Sequence, residues 1–425
     1  MKDGAQVPKG YKQTEVGVIP EDWEVAALGS IAPIVTGNTP PTRDPANYGD
    51  EFLFVSPADM GGTKYVSRTE KMLSRKGFSM SRPFPAGSIL FVCIGSTIGK
   101  CGIASERLTS NQQINAILPS AGMSSDFLYY AVSAVAARVR ALAGEQAVPI
   151  VNKRQFSETS VAFPSATVEQ EAIAEALSDA DAFIESLERI LAKKRQIKQG
   201  AMQDLLTCKK RLPGFRGEWE LTPLSDLFVF SGGFTASREQ LSSEGYCYLH
   251  YGDIHTSKKS FVDVRSEYQD IPKLNAPLQR ISPVSLLDDG DIVFVDASED
   301  DEGTSKHIVV INPDSIPFIA GLHTIVGKCK TNALDHQYRR YCFQTAAIKA
   351  QFRFFAVGTK VSGISKTNIA KITLPVPKVP EQTAIAAILS DMDAEITAVE
   401  DKLTKARNLK QGMMQELLTG RTRLV

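Results

Sequence analysis

Along residues 169–206 apolar side chains recur with a 4-3-4-3-4 step, at Ile173, Leu177, Ala180, Ile184, Leu187 and Leu191. The same step returns at Ile385, Leu389, Met392, Ile396, Val399 and Leu403. Such spacing places the apolar groups on one stripe of a helix, a seam that a second helix must cover. Each stretch therefore predicts a helix of ~38 residues, on the order of 57 Å long at ~1.5 Å per residue. Thr167 with Gln170 predicts a capping box on the first, and Pro380 suits the first turn of the second. Gly200 and Gly412 fall at equivalent places, at about 1 kcal/mol each relative to Ala, which predicts a close helix contact or a kink there.

Elsewhere the pattern shortens. EFLFVS (51–56), SILFVCI (88–94) and NAILP (115–119) are apolar or alternating runs bounded by Gly, Pro and Ser, hence predicted strands. SDFLYYAVSAVAARVRALA (125–143) has helical spacing. Further on, YCYLHYG (246–252), DIVFVD (291–296), HIVVIN (307–312) and HTIVGKC (323–329) predict strands, followed by a helix near 335–355. Each series closes on a Lys-containing turn and an extended, Pro-ended segment, NKRQFSETSVAFP (152–164) and SKTNIAKITLP (365–375).

The chain is written twice. Residues 168–212 align with 380–424 without a gap, with 25 identities in 45 positions. The two tryptophans head the halves, in IPEDWEVAAL (19–28) and FRGEWELTPL (215–224). Each half is thus a divergent α/β module followed by a near-identical helix. Pairing the helices antiparallel satisfies both seams, gives the duplicated chain a pseudo-two-fold axis and hangs the modules at opposite ends. A general oligomerisation coil is the alternative use of such seams. The first helix continues into the W-E head of the second half, and for the second helix that head is supplied by the N-terminal segment. The layout is therefore circular, and the two termini are expected to lie close together.

Composition narrows the function. The 425 residues carry 48 basic and 48 acidic side chains, a neutrality that argues against strong autonomous nucleic-acid binding. No apolar run approaches the ~20 residues that span a bilayer, and MKDGAQVPKGYKQTE lacks a signal-peptide core; a cytoplasmic protein is expected. The six cysteines form no C-x-x-C pair and the five histidines lack zinc-ligand spacing, so reduced, structural thiols are expected and no metal.

The catalytic motifs fail on inspection. FVCIGSTIGKC (91–101) resembles a phosphate-binding loop, but Gly95 and Gly99 enclose three residues instead of four and Cys101 replaces the magnesium-ligating hydroxyl. At its place the second half has FVDASEDDEGTSK (294–306), too unlike it for a shared phosphate site. NTPPT (38–42) has the prolines of an amino-methyltransferase clamp without its acid, amide or aromatic partners. The acidic run VDASEDDEGTSK (295–306) reads as a solvated loop. A nucleotide hydrolase using Lys100 and a homo-oligomeric coiled-coil scaffold remain the rival readings.

Two divergent modules headed by W-E, each ending in E-Q-x-x-I-A-x-x-L-S-x-x-D (169–181 and 381–393), with K-Q-G-M-M-Q-E-L-L-T-G-R-T-R-L at 410–424, resemble the specificity subunit of bacterial type I restriction-modification enzymes. Cys208 stands where that pattern has a glycine. The resemblance implies an α+β protein: two mixed α/β target-recognition domains separated by two long antiparallel coiled-coil helices. The implied segments are 1–165 (first recognition domain), 166–210 (first helix), 211–378 (second recognition domain) and 379–425 (second helix and closing segment). It implies a non-catalytic subunit in which each domain reads one half of a bipartite double-stranded DNA site. The helices set the gap and dock two DNA methyltransferase subunits, with two restriction subunits joining for cleavage. S-adenosylmethionine, ATP and magnesium belong to those partners, which also share the phosphate contacts and so reconcile DNA binding with a neutral chain.

Base readout draws on polar side chains in loops held by a rigid scaffold. In the first module the candidates are Thr39, Arg43, Ser96, Thr97, Lys100, Asn111, Gln112 and Gln113, with Lys153 as a phosphate contact. In the second they are Tyr251, His255, Lys258, Lys259, Thr304, Ser305, Lys306 and His323, with Lys360 and Lys366 as phosphate contacts. Asn111, Gln112 and Gln113 suit adenine; Lys100 and Lys306 suit guanine or phosphate.

Overall fold

The computed structural model describes residues 7–144, 147–298, 303–358 and 361–424. The chain divides into two compact units, Met1–Glu188 with Asp401–Val425, and Arg189–Glu400.

In the first unit a five-stranded sheet runs in the order Ile34–Thr36, Ile114–Ile117, Ile89–Val92, Cys101–Ala104, Tyr65–Val66. The first four strands are antiparallel neighbours and the last pairs in parallel. Ile89–Val92 is buried at every position, which is why its sequence is continuously apolar instead of alternating. A four-stranded sheet, Thr109–Ser110, Phe52–Val55, Lys71–Leu73, Tyr48–Gly49, completes the module. The helix Ser125–Ala141, capped by Ser124, packs Phe127, Tyr130 and Val139 into the core beside Phe91 and Phe156.

The second unit repeats this scaffold. Its five-stranded sheet runs Phe228–Gly232, Thr324–Cys329, Ile292–Val295, His307–Ile311, Phe261–Asp263, again with a parallel last pair. The four-stranded sheet runs Leu241–Ser242, Lys273–Leu274, Tyr246–Leu249, Phe318–Ala320. Two expectations are corrected here. The region 335–355 is two helices, Arg339–Cys342 and Ala346–Phe355, because Thr345 takes an extended conformation and its hydroxyl accepts from the Ile348 amide at 3.3 Å. YCYLHYG is a strand only to Leu249; His250 then caps the helix Tyr251–Thr256, its Nδ1 accepting from the Gly252 amide at 3.1 Å.

Both tryptophan heads serve as sheet partners for the segments that close their modules. Trp23–Ala27 pairs with Ser160–Pro164, and Glu220–Pro223 pairs with Thr373–Val376. The Lys-containing turns before those strands are short helices, Lys153–Ser157 and Lys366–Ile369, capped by Asn152 and Ser365.

The two long helices are Thr167–Leu205 and Val379–Leu417, 39 residues each. Each contributes its N-terminal half to one unit and its C-terminal half to the other. Ile173, Leu177, Leu187, Leu191, Ile385, Leu389, Val399 and Leu403 of the predicted seams are buried, and Ala180, Ile184, Met392 and Ile396 are partly so. Within the first unit Lys410 bonds Asp181 at 2.5 Å and Arg407 bonds Glu188 at 2.6 Å. Within the second the equivalent pairs are Lys198 with Asp393 and Arg195 with Glu400. Numbers rise along one helix as they fall along the other, so each pairing is antiparallel.

The repeated Glu-Gln has a structural use in each unit. Buried Glu169 receives Arg423, which also bonds Asp22 at 2.9 and 3.0 Å. Those carboxylates hold the Arg423 guanidinium above its ordinary range, and the guanidinium hydrogen bond lowers Asp22. Buried Glu381 receives Arg211 at 2.6 and 2.7 Å. Gln170 accepts from the Ser124 amide and donates to the Gly122 and Pro164 carbonyls. The predicted Thr167–Gln170 capping box is therefore not formed: the Gln170 side chain is spent on the module. Gln382 makes the same three bonds to Asp335, Ala333 and Pro377.

In the first unit the segments near the two ends meet, as expected, with the Tyr11 hydroxyl donating to the Gly420 carbonyl at 3.0 Å. Gly420 adopts a φ of +67°, and Cys208, its counterpart, takes +60° without the freedom of glycine. The close contact expected at Gly200 and Gly412 is absent, since a Cβ built on either meets no atom within 4 Å. Both positions face open space.

Candidate nucleic-acid interface

In the first unit the loops that carry Thr39, Ser96 and Asn111 converge. The Thr39 hydroxyl donates to Gln112 Oε1 at 2.7 Å, and Asn111 Nδ2 donates to Gln113 Oε1 at 3.0 Å. Gln113 Nε2 in turn reaches the Ile94 carbonyl at 3.5 Å, tying in the 94–100 loop. Gly37 is required at this corner: a Cβ there would fall 2.2 Å from Ser110 Oγ and 2.3 Å from the Asn111 carbonyl. Beside the corner lies a cavity of about 230 Å³ lined in part by Thr39, Tyr48, Ser56, Lys71 and Asn111. Ser96, Arg43 and Lys153 are exposed, and Thr97 is half-buried.

The Gly-rich loop is closed on itself. The amides of Gly95, Ile98, Gly99 and Lys100 all donate to backbone carbonyls, to Pro149, Gly95, Val92 and Thr97 respectively. Those N–H groups are not offered to an anion, in line with the failed motif spacing. Lys100 Nζ donates to the Pro57 carbonyl at 3.1 Å.

In the second unit four loops meet. Gly233 packs so closely on Gly321 that a Cβ would fall 1.8 Å from its carbonyl oxygen. The Tyr251 ring contacts His250, His255 and His323 at centroid separations of 4.6, 6.2 and 5.4 Å. His323 Nδ1 lies 3.3 Å from Asp296 Oδ1. Arg238 Nη2 reaches both Asp253, at 2.8 Å, and His250 Nδ1, at 3.3 Å. Burial, then the Arg238 charge, lowers the His250 pKa from its ordinary value. Lys306 Nζ donates to the His255 carbonyl at 2.6 Å, while Lys259 pairs with Glu267 at 3.2 Å. Lys258 and Lys366 are exposed and Ser305 is buried. Lys360 and the side chain of Thr304 lie outside the described residues.

Matching backbone hydrogen bonds put the two corners in register. The Cys93 amide donates to Gln113 O and the Val151 amide to Cys93 O; the Asp296 amide donates to His323 O and the Ile364 amide to Asp296 O. Gly37 donates to Ile114 O as Gly233 donates to Thr324 O, and Val92 donates to Lys100 O as Val295 donates to Lys306 O. Asp296 thus stands at the place of Cys93, His323 at that of Gln113, Lys306 at that of Lys100 and Lys366 at that of Lys153. Lys100 and Lys306 perform one task in both units, bracing the neighbouring loop through a carbonyl.

Arg82, which bonds the Thr36 carbonyl at 3.0 Å, and Arg238, His250 and Asp296 also belong to these corners. The sequence pointed to the loops SGGFTASR (231–238) and HYGDIHTSKK (250–259), which contain Arg238 and His250, without singling out either residue; Asp296 carried a signal by following the FV strand that aligns with Phe91-Val92. Among the described residues no group of three or more His, Cys, Asp or Glu side chains is placed to hold a metal ion. All six cysteines are free thiols. No helix among the described residues is long and apolar enough to cross a membrane.

A family profile for the type I restriction modification DNA specificity domain matches residues 20–197 and 216–406. The chain is 22% identical to the type I restriction enzyme MjaIX specificity subunit of Methanocaldococcus jannaschii, over 97% of this chain and 96% of that one. It is 32% identical to the HindI specificity subunit of Haemophilus influenzae, over 35% of this chain and 33% of that one. Among solved structures, the type I restriction-modification system S subunit from M. genitalium superposes with a TM-score of 0.56 at 15% identity, covering 93% of this chain and 96% of that chain. A chain from a structure of type I R-M complex assembly and conformational transition gives a TM-score of 0.56 at 14% identity, covering 95% and 99%.

Proposed function

Because the chain belongs to the family of type I restriction-modification DNA specificity subunits, recognising a DNA target, we propose that its two units read the two unlike halves of one split site. The observation that carries this reading is the pair of corners: one backbone scaffold in register, presenting amides and hydroxyls in the first unit and imidazoles, a tyrosine and carboxylates in the second. Two readers with different surfaces specify an asymmetric target. Lys153 and Lys366, at equivalent helix starts beside the corners, supply phosphate contacts that orient each unit on the duplex.

The long helices serve as spacer and as docking surface. Their outer faces carry Ile197 and Leu409, equivalent residues that are 52% and 65% exposed. Each lies one helical turn from the open Gly200 or Gly412. An uncovered apolar side chain beside a glycine, repeated once per unit, suits two copies of one partner, here the methyltransferase subunits. S-adenosylmethionine binding and the methyl transfer fall to those subunits, and ATP-driven, magnesium-dependent cleavage falls to restriction subunits, with this chain supplying the address.

Mapping methylated sites in cells that carry this subunit with its methyltransferase partners tests the reading. A two-part motif with a constant gap is expected. Inserting seven residues in each long helix lengthens the gap by roughly 3 bp, since ~10.5 Å of helix matches that many steps of ~3.4 Å. An unchanged gap refutes the spacer role.

A further inference from the structure

The register between the two corners singles out positions at which one scaffold carries different chemistry. In the first unit Gln113 Oε1 accepts from Asn111 Nδ2 and Asn111 Oδ1 accepts from the Gln113 backbone amide, which leaves each carboxamide one further N–H and one further lone pair. That combination matches adenine, which presents N6 as donor and N7 as acceptor in the major groove. In the second unit the place of Gln113 is taken by His323 and that of Cys93 by Asp296. A carboxylate only accepts, so it matches the cytosine N4 amino group and is repelled by the acceptors of guanine and thymine. An imidazole N–H supplies the complementary donor for guanine O6 or N7.

Three observations show that these side chains are held ready and not consumed by the fold. His323 is half exposed, and its ring is set by an edge-on contact with Tyr251 at an interplanar angle of 81°. Its backbone is at a φ of +58°, a conformation rarely taken by a residue with a side chain and concentrated at functional sites. The Asp296 side chain is one-third exposed, and its Oδ1, shielded beside His323 Nδ1 at 3.3 Å, carries no aligned hydrogen bond.

We propose that His323 and Asp296 set base identity at a G·C pair in the half-site read by the second unit, as Gln113 and Asn111 do at an A·T pair for the first. The inference rests on the DNA-reading function proposed above. The pair acts by direct contact with base edges, and Lys306 contributes only by holding the 251–256 helix beside it.

The test uses the full chain assembled with its methyltransferase partners and reads the methylated motif in cells. In His323→Gln and Asp296→Asn, the first half and the gap stay as in wild type. Discrimination at one G·C position of the second half falls on the order of tenfold to a hundredfold. Asn111→Ala has the converse effect, at an A·T position of the first half. The inference fails if both second-unit variants keep the wild-type motif, or if the altered position lies in the first half or the gap. It also fails if both abolish methylation everywhere while the purified chain melts like wild type, since the corner would then serve assembly. His323→Gln decides the matter should Asp296→Asn unfold. A wild-type complex without any two-part motif would overturn the underlying reading instead.

Discussion

In the first unit Glu169 receives Arg423 and Gln170 clamps Ser124, Gly122 and Pro164; in the second Glu381 receives Arg211 and Gln382 clamps Asp335, Ala333 and Pro377. Tyr130 donates to Asp181 at 2.8 Å, as Tyr341 does to Asp393. The helix ends thus share these bonds in both units, although Arg423 bonds Asp22 where Arg211 bonds the Gly217 carbonyl. At the loop corners only the backbone is duplicated, and the side chains differ in charge, size and polarity. The contrast separates two demands on one fold. Joining each module to the helices requires a fixed geometry, whereas the corners keep a fixed backbone under exchangeable groups, as the proposed reading of two unlike half-sites requires.

The largest expected effect tests the independence of the duplicated helix-end networks. Removing Arg423 leaves the buried Glu169 carboxylate without its partner, which costs about 3 kcal/mol. In a Trp219→Phe chain the remaining reporter is Trp23, buried in the first unit. Arg423→Ala lowers the urea midpoint reported by Trp23 fluorescence, and Arg211→Ala leaves it in place. Equal shifts would show that the units unfold as one.

A second test exploits a difference at matched positions. Phe91 pairs with Cys101 in the first unit as Phe294 pairs with His307 in the second. Burial pushes the Cys101 thiol up to about 12, so it stays neutral in acid. Burial pushes His307 down to about 4 from an ordinary 6.5. The folded ring therefore stays neutral while the unfolded chain takes up a proton, and stability falls as pH drops from ~6.5 toward 4, by about 3 kcal/mol in full. Circular dichroism melts from pH 7 to 4.5 should show the second unit loosening first, and His307→Leu should flatten that slope.

Smaller effects sharpen the likeness of the helix ends. Tyr130→Phe and Tyr341→Phe each remove a hydrogen bond to a carboxylate and lower stability by about 1.5 kcal/mol in chemical denaturation. Unequal losses would reveal a difference between the two junctions. Cys208→Gly relieves a left-handed backbone and raises the thermal midpoint by the equivalent of about 1 kcal/mol. Gly420→Ala has the opposite sign, because its Cβ would fall 2.5 Å from the Pro20 ring.

Much of this was legible in the sequence, for reasons that differ by region. The seams of the long helices repeat over many turns, so Ile173 through Leu191 and Ile385 through Leu403 declared themselves. Strands such as Ile89–Val92 and Ile292–Val295 were plain as short apolar runs. The function of Gln170 was not, because its three partners lie 6 to 48 residues away and local spacing suggested a cap. The break at Thr345 was hidden for the opposite reason: a cap written in one hydroxyl does not disturb the apolar pattern around it. At the corners, the candidate residues could be read as loop positions, but not their register. The backbone hydrogen bonds from Cys93 and Asp296 align Gln113 with His323, and the carbonyl bonds of Lys100 and Lys306 make them loop braces.

The division of the long helices also bears on how the chain is made. Arg189–Glu400 is one uninterrupted stretch, whereas the other unit draws on Met1–Glu188 and on Asp401–Val425. Domains ordinarily fold in the order of their synthesis. Here the module translated first waits for Arg423 to reach Glu169 and Asp22, and the module translated second is complete before it. A chain released at residue 400 would hold every residue of the second unit but lack the 401–425 part of the first, with the early half of the first long helix still awaiting its cover.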